Sequence, residues 1–337
     1  MLLALLVMLM AKATDWESRI GRRVRLRDLR ALSAVIQSGS MAKAAKELGV
    51  TQSAVSQMIA DLESALRVRL LDRSPRGVTA TIYGDILLRR SRAALDEIKQ
   101  GIQEIEFLTD HATGQVRVGC PESISSAVLP PIAELFMQRF PRASLDVDDL
   151  NFGALSPLLE RDIDLVIARG GRGFSEQTIS DDLTVQTLFE DELVIAAGPK
   201  SRWFNRRKVD LADLINERWI LTAPGIWNHM LVSEAFRARG LDVPDIRMRT
   251  LSVHLRTNLI ATGDFITTLP RSVLHLYADR FGLRALPVEF PARPWPVSII
   301  TLKHRTLSPL AEKFIACAYE IAKSIGPQSG QRRRRSL

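Results

Sequence analysis

The apolar positions in the first quarter of the chain recur at helical spacing. Leu29, Leu32, Val35 and Ile36 line one side of a helix expected over 25–38. Ala44, Ala45 and Leu48 give a second, shorter helix a narrow inner face, with Ser40 as its cap. Val55, Ile59, Leu62 and Leu66, spaced four, three and four apart, form the buried stripe of a third. Leu48-Gly49-Val50-Thr51 breaks the second helix from the third, because Gly49 can take φ > 0 and Thr51 is a natural N-cap. Residues 70–73 and 78–81 read as two short strands joined by the turn Ser74-Pro75-Arg76-Gly77. A long helix is expected over 82–108. Within it Leu88, Ser91, Leu95, Ile98, Ile102 and Ile105 alternate spacings of three and four, a heptad seam of about three repeats that calls for a partner helix.

After Thr113-Gly114 the texture changes to alternating strands and helices, which predicts parallel-sheet α/β units. Strands are expected at 116–120, 144–147, 163–168, 193–197, 219–222, 246–250, 266–269 and 297–302. Helices are expected at 127–140, 157–161, 229–239, 253–262 and 309–322. The organisation expected is an extension over 1–22, a mainly helical domain over 23–81 with a helix-turn-helix at 40–59, a linker helix over 82–112, an α/β domain over 113–325 and a basic tail over 326–337. The α/β domain is expected as two subdomains, 113–195 with 270–325, and 196–269.

Charge sharpens the picture of the first part. Between Arg19 and Arg92 fifteen Lys/Arg stand against six Asp/Glu, a net of +9, whereas the whole chain carries +8. The remainder is therefore close to neutral, and basicity confined to one small domain marks polyanion binding. On the third helix Ser53, Ser56, Gln57 and Ala60 share a small, uncharged polar face, of the kind that enters a major groove and reads base edges. Arg67, Arg69, Arg73 and Arg76 follow, placed for phosphate contacts that set position rather than sequence preference.

The run LRDLRALSAVIQSGSMAKAAKELGVTQSAVSQMIADLE followed by LLDRSPRGVTATIYG resembles the winged helix-turn-helix of LysR-type transcriptional regulators, and the layout of the rest of the chain fits that family. Three positions depart from the family pattern: Met41 stands where an aromatic is usual, Arg67 where a glycine usually follows the recognition helix, and Leu71 where Phe is common. The resemblance implies a mainly α winged helix-turn-helix, a linker helix pairing two protomers, and a two-subdomain α/β effector domain of periplasmic-binding-protein fold. It implies a homodimer, or a homotetramer built from dimers, on an imperfectly palindromic double-stranded operator. The DNA-contacting residues expected are Ser40, Lys43, Thr51, Gln52, Ser53, Ser56, Gln57, Arg67, Arg73 and Arg76.

A small-molecule effector is expected in the cleft between the two subdomains, at strand carboxyl ends and helix amino ends. By that rule Ser123 and Ser125 follow the first strand, Asn151 the second and Arg169 the third, with Thr222, Pro224, Phe265 and Ile266 from the second subdomain. The resemblance matches Ser123, Asn151, Thr222 and Ile266 to pocket positions of relatives. The stretch RTNLIATGDFITTLPRSVL is similar to the galactose-binding-protein regulators, which points to sugar uptake; an aromatic acid or another metabolite remains an alternative. Effector binding is expected to move the subdomains and so change DNA bending or contact with RNA polymerase, as activator or repressor.

Other classes fit less well. No P-loop, HExxH or GxSxG motif occurs, so no enzyme, catalytic residue or cofactor is expected. A transport solute-binding protein would explain the second half but not the +9 domain. Asp146 and Asp148 fit one face of a strand at a sheet edge. Cys120 and Cys317 lie far apart and the five histidines show no ligand spacing, so neither a disulfide nor a metal site is expected. The apolar run MLLALLVMLMA is shorter than the ~20 residues a membrane span needs and has no basic residue before it. It is read as an extension of a cytoplasmic, non-membrane protein.

Overall fold

A computed structural model describes residues 23–75, 77–110, 113–151, 154–170, 182–290 and 294–325. The expected N-terminal extension, Arg76 and the basic tail lie outside the described residues. The chain divides into two compact units, Met1–Ile102 and Gln103–Leu337.

The first unit is built on three helices, α1 (Leu26–Ser38), α2 (Met41–Leu48) and α3 (Gln52–Leu66). Their shared core is the set the spacing predicts: Leu32, Val35, Ala44, Val55, Ile59 and Leu62, with Leu66 half-buried beside it. Gly49 ends α2 at φ 67°, where its N–H closes onto the Ala45 and Lys46 carbonyls. The strands β1 (Leu71–Ser74) and β2 (Gly77–Ala80) pair antiparallel, each displaced by one residue from the sequence expectation, so Ser74 and Gly77 face each other. The Glu63 carboxylate accepts the N–H groups of Leu70 and Leu71 at 2.7 and 3.3 Å, which ties the recognition-type helix to the hairpin.

The helix α4 (Ile82–Thr109) is as long as expected. Its seam is not uniform. Leu88 and Ser91 are covered within the protomer and Leu95 is half-buried, whereas Ile98, Ile102, Ile105 and Leu108 stand exposed. The unpartnered apolar stripe is thus the second half of the seam. Gly84 is required near its start. A Cβ there would lie 2.1 Å from the Leu70 carbonyl oxygen, so helix and hairpin approach more closely than any side chain permits.

The second unit carries two five-stranded mixed sheets. The first has the order β4-β3-β5-β12-β6, from β3 (Thr113–Cys120), β4 (Arg142–Asp149), β5 (Leu165–Arg169), β6 (Leu183–Asp191) and β12 (Trp295–Leu302). The second has the order β11-β7-β10-β8-β9, from β7 (Leu193–Ala197), β8 (Trp219–Leu221), β9 (Ile246–Arg249), β10 (Ile266–Pro270) and β11 (Arg284–Ala285). The pattern alone predicts parallel sheets. Here β12 runs antiparallel to β5 and β6, and β7 antiparallel to β10 and β11, because the chain crosses between sheets and returns.

Both faces of each sheet are covered. On the first lie α5 (Glu122–Ser125), α6 (Leu129–Arg139), α7 (Ser156–Leu159) and α11 (Pro309–Ile325). Phe136 and Phe314 meet there edge to face at 5.4 Å. On the second lie α8 (Trp227–Ala238), α9 (Val253–Ala261) and α10 (Arg271–Phe281). Alternation along β7 serves two layers: Ile195 and Ala197 join the core with Trp219 and Phe236, while Val194 and Ala196 join that with Val273 and Tyr277. The crossings fall at 192 and between 285 and 295. Residues 193–195 and 270–285, expected in the first subdomain, therefore belong to the second. The helix expected over 127–140 is α6 at Leu129–Arg139, whereas α5, β6, α10 and β11 have no counterpart among the expected elements.

Where the chain first crosses, Arg169 at the end of β5 is 3% exposed and paired with Asp191 at the end of β6. Its Nε and Nη2 donate to Asp191 Oδ2 at 3.1 and 2.9 Å, its Nη1 to Ser123 Oγ and its Nη2 to Ser272 Oγ, both at 2.8 Å. Asp191 also accepts the Ser272 N–H and hydroxyl at the start of α10.

Two outcomes are expected. Gly84→Ala gains helix propensity but forces backbone apart, for a net loss of about 1–3 kcal/mol and faster hydrogen exchange in α3 and the hairpin. Arg169→Met strands the Asp191 carboxylate and lowers the urea stability of the second unit, read by tryptophan fluorescence, by about 3–5 kcal/mol. The double variant Arg169→Met/Asp191→Leu recovers most of that loss.

Candidate functional site

Two surfaces carry the chemistry. The first is the outer side of α3. Thr51 caps the helix, its Oγ1 accepting the Ala54 N–H at 3.2 Å and sharing a 3.0 Å hydrogen bond with Ser53. Gln52, Ser53 and Gln57 are exposed and Ser56 is half-buried, so the expected reading face is open while Val55, Ile59 and Leu62 on the other side are wholly buried. The Gln57 carboxamide is held by Asp61 one turn on, at 2.7 Å. Ser40 caps α2 through a 3.4 Å bond from the Lys43 N–H, and the Lys43 side chain is exposed.

Two of the arginines expected at phosphates are exposed. Arg73 is exposed on β1. Arg67, also exposed, ends α3 at φ 57°, in the left-handed region that favours glycine. The departure from the family pattern is therefore a real conformational cost, carried by a side chain placed beside the hairpin. Arg76 lies outside the described residues.

The second surface is a cleft of about 220 Å³ between the two sheets, lined among others by Glu122, Ser123, Asn151, Thr222, Asn228 and Arg256. It stands at the carboxyl ends of the strands. Ser123 follows β3, Leu150 and Asn151 follow β4, Thr222 follows β8, Leu251 follows β9, and Pro270 ends β10. Leu193 and Ile226 add apolar wall, and Asp149 lies at the exposed rim. Trp227, another lining residue, packs at a tilt against Trp295 of the first subdomain, with ring centroids 5.3 Å apart.

Of the expected effector residues, Ser123, Asn151 and Thr222 line this cleft and five do not. Ser125 donates its hydroxyl to the Glu122 carbonyl within its own turn. Arg169 sits behind the cleft wall, where burial pulls its pKa below the ordinary guanidinium value against the pull of Asp191, and its role is to fix Ser123. Pro224 is exposed and outside the lining. Phe265 packs in the core layer of α9 and α10, and Ile266 is buried beside Trp219. These two sit where β10 begins, and the cleft is where β10 ends, so the expectation places the loop at the wrong end of its strand. Trp227 and Asn228 follow β8 by the same rule that selects Thr222, so the sequence carries a signal for them. Glu122 and Arg256 carry none, because their significance comes from partners in distant segments.

Glu122 crosses the cleft. Its carboxylate, from the first subdomain, accepts the Val253 and His254 N–H groups at 2.9 and 3.0 Å at the amino end of α9 in the second. The Ser252 hydroxyl donates to it at 3.4 Å. At the end of β3, burial and the nearby Asp149 carboxylate push the Cys120 thiol up to about 12, so it stays protonated at neutral pH. Among the described residues no helix is long and apolar enough to cross a membrane.

Both parts of the chain match known families. Residues 26–85 match the model for the bacterial regulatory helix-turn-helix protein, lysR family, and residues 109–322 match the LysR substrate binding domain. The HTH-type transcriptional regulator TdcA of Escherichia coli K12 is 31% identical over 305 residues, covering 90% of this chain and 94% of TdcA. A full-length OxyR variant from Pseudomonas aeruginosa superposes with a TM-score of 0.64 at 17% identity, over 90% of this chain and 96% of that one. CbnR, a LysR family transcriptional regulator, does so with a TM-score of 0.58 at 20% identity, over 88% and 99%. The chain belongs to the LysR family: it is a DNA-binding transcriptional regulator with an effector-binding substrate domain, not an enzyme.

Proposed function

We propose that α3 lies in the major groove of its operator with Gln52, Ser53, Ser56 and Gln57 toward base edges. Ser40, Lys43 and Thr51 flank them, and Arg67, Arg73 and Arg76 take phosphates. The observation that carries this reading is the division of α3 itself: one side is locked into the domain core and the other is polar, uncharged and open. An uncharged face suits hydrogen-bond readout, and the surrounding cations supply the salt-dependent part of affinity. The exposed half of the α4 seam, Ile98, Ile102, Ile105 and Leu108, supports pairing of two protomers as a dimer or a dimer-built tetramer. Such pairing calls for an imperfectly palindromic operator.

The cleft then holds a small-molecule effector, with Ser123, Asn151 and Thr222 among its contacts. Because its two walls belong to different sheets, a ligand that fits one separation of the walls biases the subdomains toward it. Transmitted through α4, that bias alters the spacing of the DNA-binding arms, and with it DNA bending or contact with RNA polymerase in the cytoplasm.

Salt titrations of operator binding test the reading face. Gln57→Ala should cost about 1–3 kcal/mol on the preferred operator and relax preference at one base position. Arg73→Ala should weaken all sequences alike and reduce the salt slope by about one. Equal losses across all sequences from both variants would refute the assigned face. Arg67→Gly separates fold from contact. Relief of the left-handed arginine should stabilise the domain by about 0.5–1 kcal/mol, while the salt slope of DNA binding falls by about one.

A further inference from the structure

The cleft wall holds a cation that the protein does not fully match. Arg256, in the first turn of α9, is 4% exposed. Its Nη1 donates to the Thr268 carbonyl at 2.9 Å, whereas its Nε, equally buried, meets no acceptor. A buried charged donor without a partner is costly. Burial, partly offset by Glu122 and reinforced by Arg169, lowers the pKa of Arg256 to about 10. The group is still cationic at neutral pH, and it lines the cleft.

The neighbouring carboxylate is already engaged. Glu122 holds the Val253 and His254 N–H groups, and Ser252 Oγ accepts the third N–H of that turn, from Leu255. The amino end of this nine-residue helix is thus saturated by the protein, and the saturating charge is delivered from the opposite subdomain. An anion entering the cleft is attracted by Arg256 and repelled by Glu122, so the two cannot occupy the same few ångströms independently. The remaining lining is mixed. Ser123, Thr222, Asn151 and Asn228 carry hydroxyls and amides, and Leu193, Ile226 and Leu251 add apolar surface, in a cleft sized for a small molecule.

Resting on the reading of the cleft as the effector site, we propose that its ligand is a small organic carboxylate matched by Arg256, which competes with Glu122 for the amino end of α9. Glu122 is then an internal stand-in for the ligand. Displacing it removes a bond across the cleft, and this is how occupancy frees one subdomain to move against the other. The competition also sets the affinity, because the ligand must replace a tethered carboxylate.

The test uses the full-length protein with acetate, propionate and butyrate, their neutral amides, and D-galactose. Binding is read by tryptophan fluorescence, with Trp227→Phe identifying the cleft signal, and by thermal shift. In the wild type the carboxylates should move the Trp227 signal and the amides and galactose should not. Glu122→Gln should tighten carboxylate binding about tenfold by removing the competing charge, Arg256→Gln should abolish it, and Arg256→Lys should restore part of it. The comparison of acids with amides needs no variant, so it stands even if Arg256→Gln fails to fold. Amides matching the acids, unchanged or weaker binding in Glu122→Gln, or a Trp227 signal silent to every carboxylate each overturn the proposal. If galactose or an amide alone moves Trp227, the cleft remains the effector site and only its anion preference fails. If carboxylates stabilise the protein equally in Arg256→Gln with Trp227 silent, the ligand site lies elsewhere and the reading of the cleft falls too.

Discussion

The effector domain depends on a buried ion pair at the point where the chain leaves its first sheet. Arg169 and Asp191 are both nearly inaccessible, and burying either charge alone would cost several kcal/mol. Matched to each other and to two serine hydroxyls, they become a junction. Asp191 ends β6, Ser272 begins α10 in the second subdomain, and Ser123 opens the turn at the cleft. One guanidinium therefore sets the position of a cleft residue from one subdomain and the start of a helix from the other. The cleft lies where it does because the strands point their carboxyl ends at this junction. The Trp227–Trp295 contact, with Trp295 opposite Asp191 on the neighbouring strand, bridges the same two subdomains near the second crossing.

Much of this is legible in the sequence, and what is not has a common cause. The strand at 193–197 and the helices of the DNA-binding unit follow from periodicity because each buries a regular stripe against its neighbours. β6 escapes because it is an edge strand, with several exposed positions and a register shift opposite Val297 and Ser298. Such a strand shows no apolar run. Arg169 at the end of an apolar strand looks like a surface cation, and its partners stand 22, 46 and 103 residues away. The loop before β10 is misplaced for another reason. A strand's pattern reveals its faces but not which end meets the cleft, and that depends on pairing β10 parallel to β8. Spacing alone does not tell the exposed second half of the α4 seam from the covered first half.

The likeness to OxyR chains is a likeness of fold. The sequence has two cysteines, Cys120 and Cys317, and both are buried. Burial raises the pKa of each, with Asp149 adding to the effect at Cys120, so neither has the thiolate character that makes a cysteine a nucleophile. Cys120 ends β3 directly before Pro121 and Glu122, which line the cleft. Its contribution there is a small apolar side chain in the core beneath, which leaves recognition to the hydroxyls, amides and charges above it.

Net charge identifies the DNA-binding unit and conceals the chemistry of the other. Arg67, Arg69 and Arg73 of the DNA-binding unit are exposed, where hydration keeps each inexpensive to hold. Outside the basic segment the charges sum to about zero, yet among the described residues there three arginines are almost fully buried. Arg305 is matched by Asp164 and the Ile163 carbonyl, and Arg169 by Asp191 and two hydroxyls. Arg256 has the Thr268 carbonyl and a nitrogen left over. Since a guanidinium withdrawn from water must be satisfied at every N–H to be neutral in cost, the difference among these three is one of completeness rather than charge. The two more complete sets hold the fold, and the incomplete one lies in the wall of the cleft.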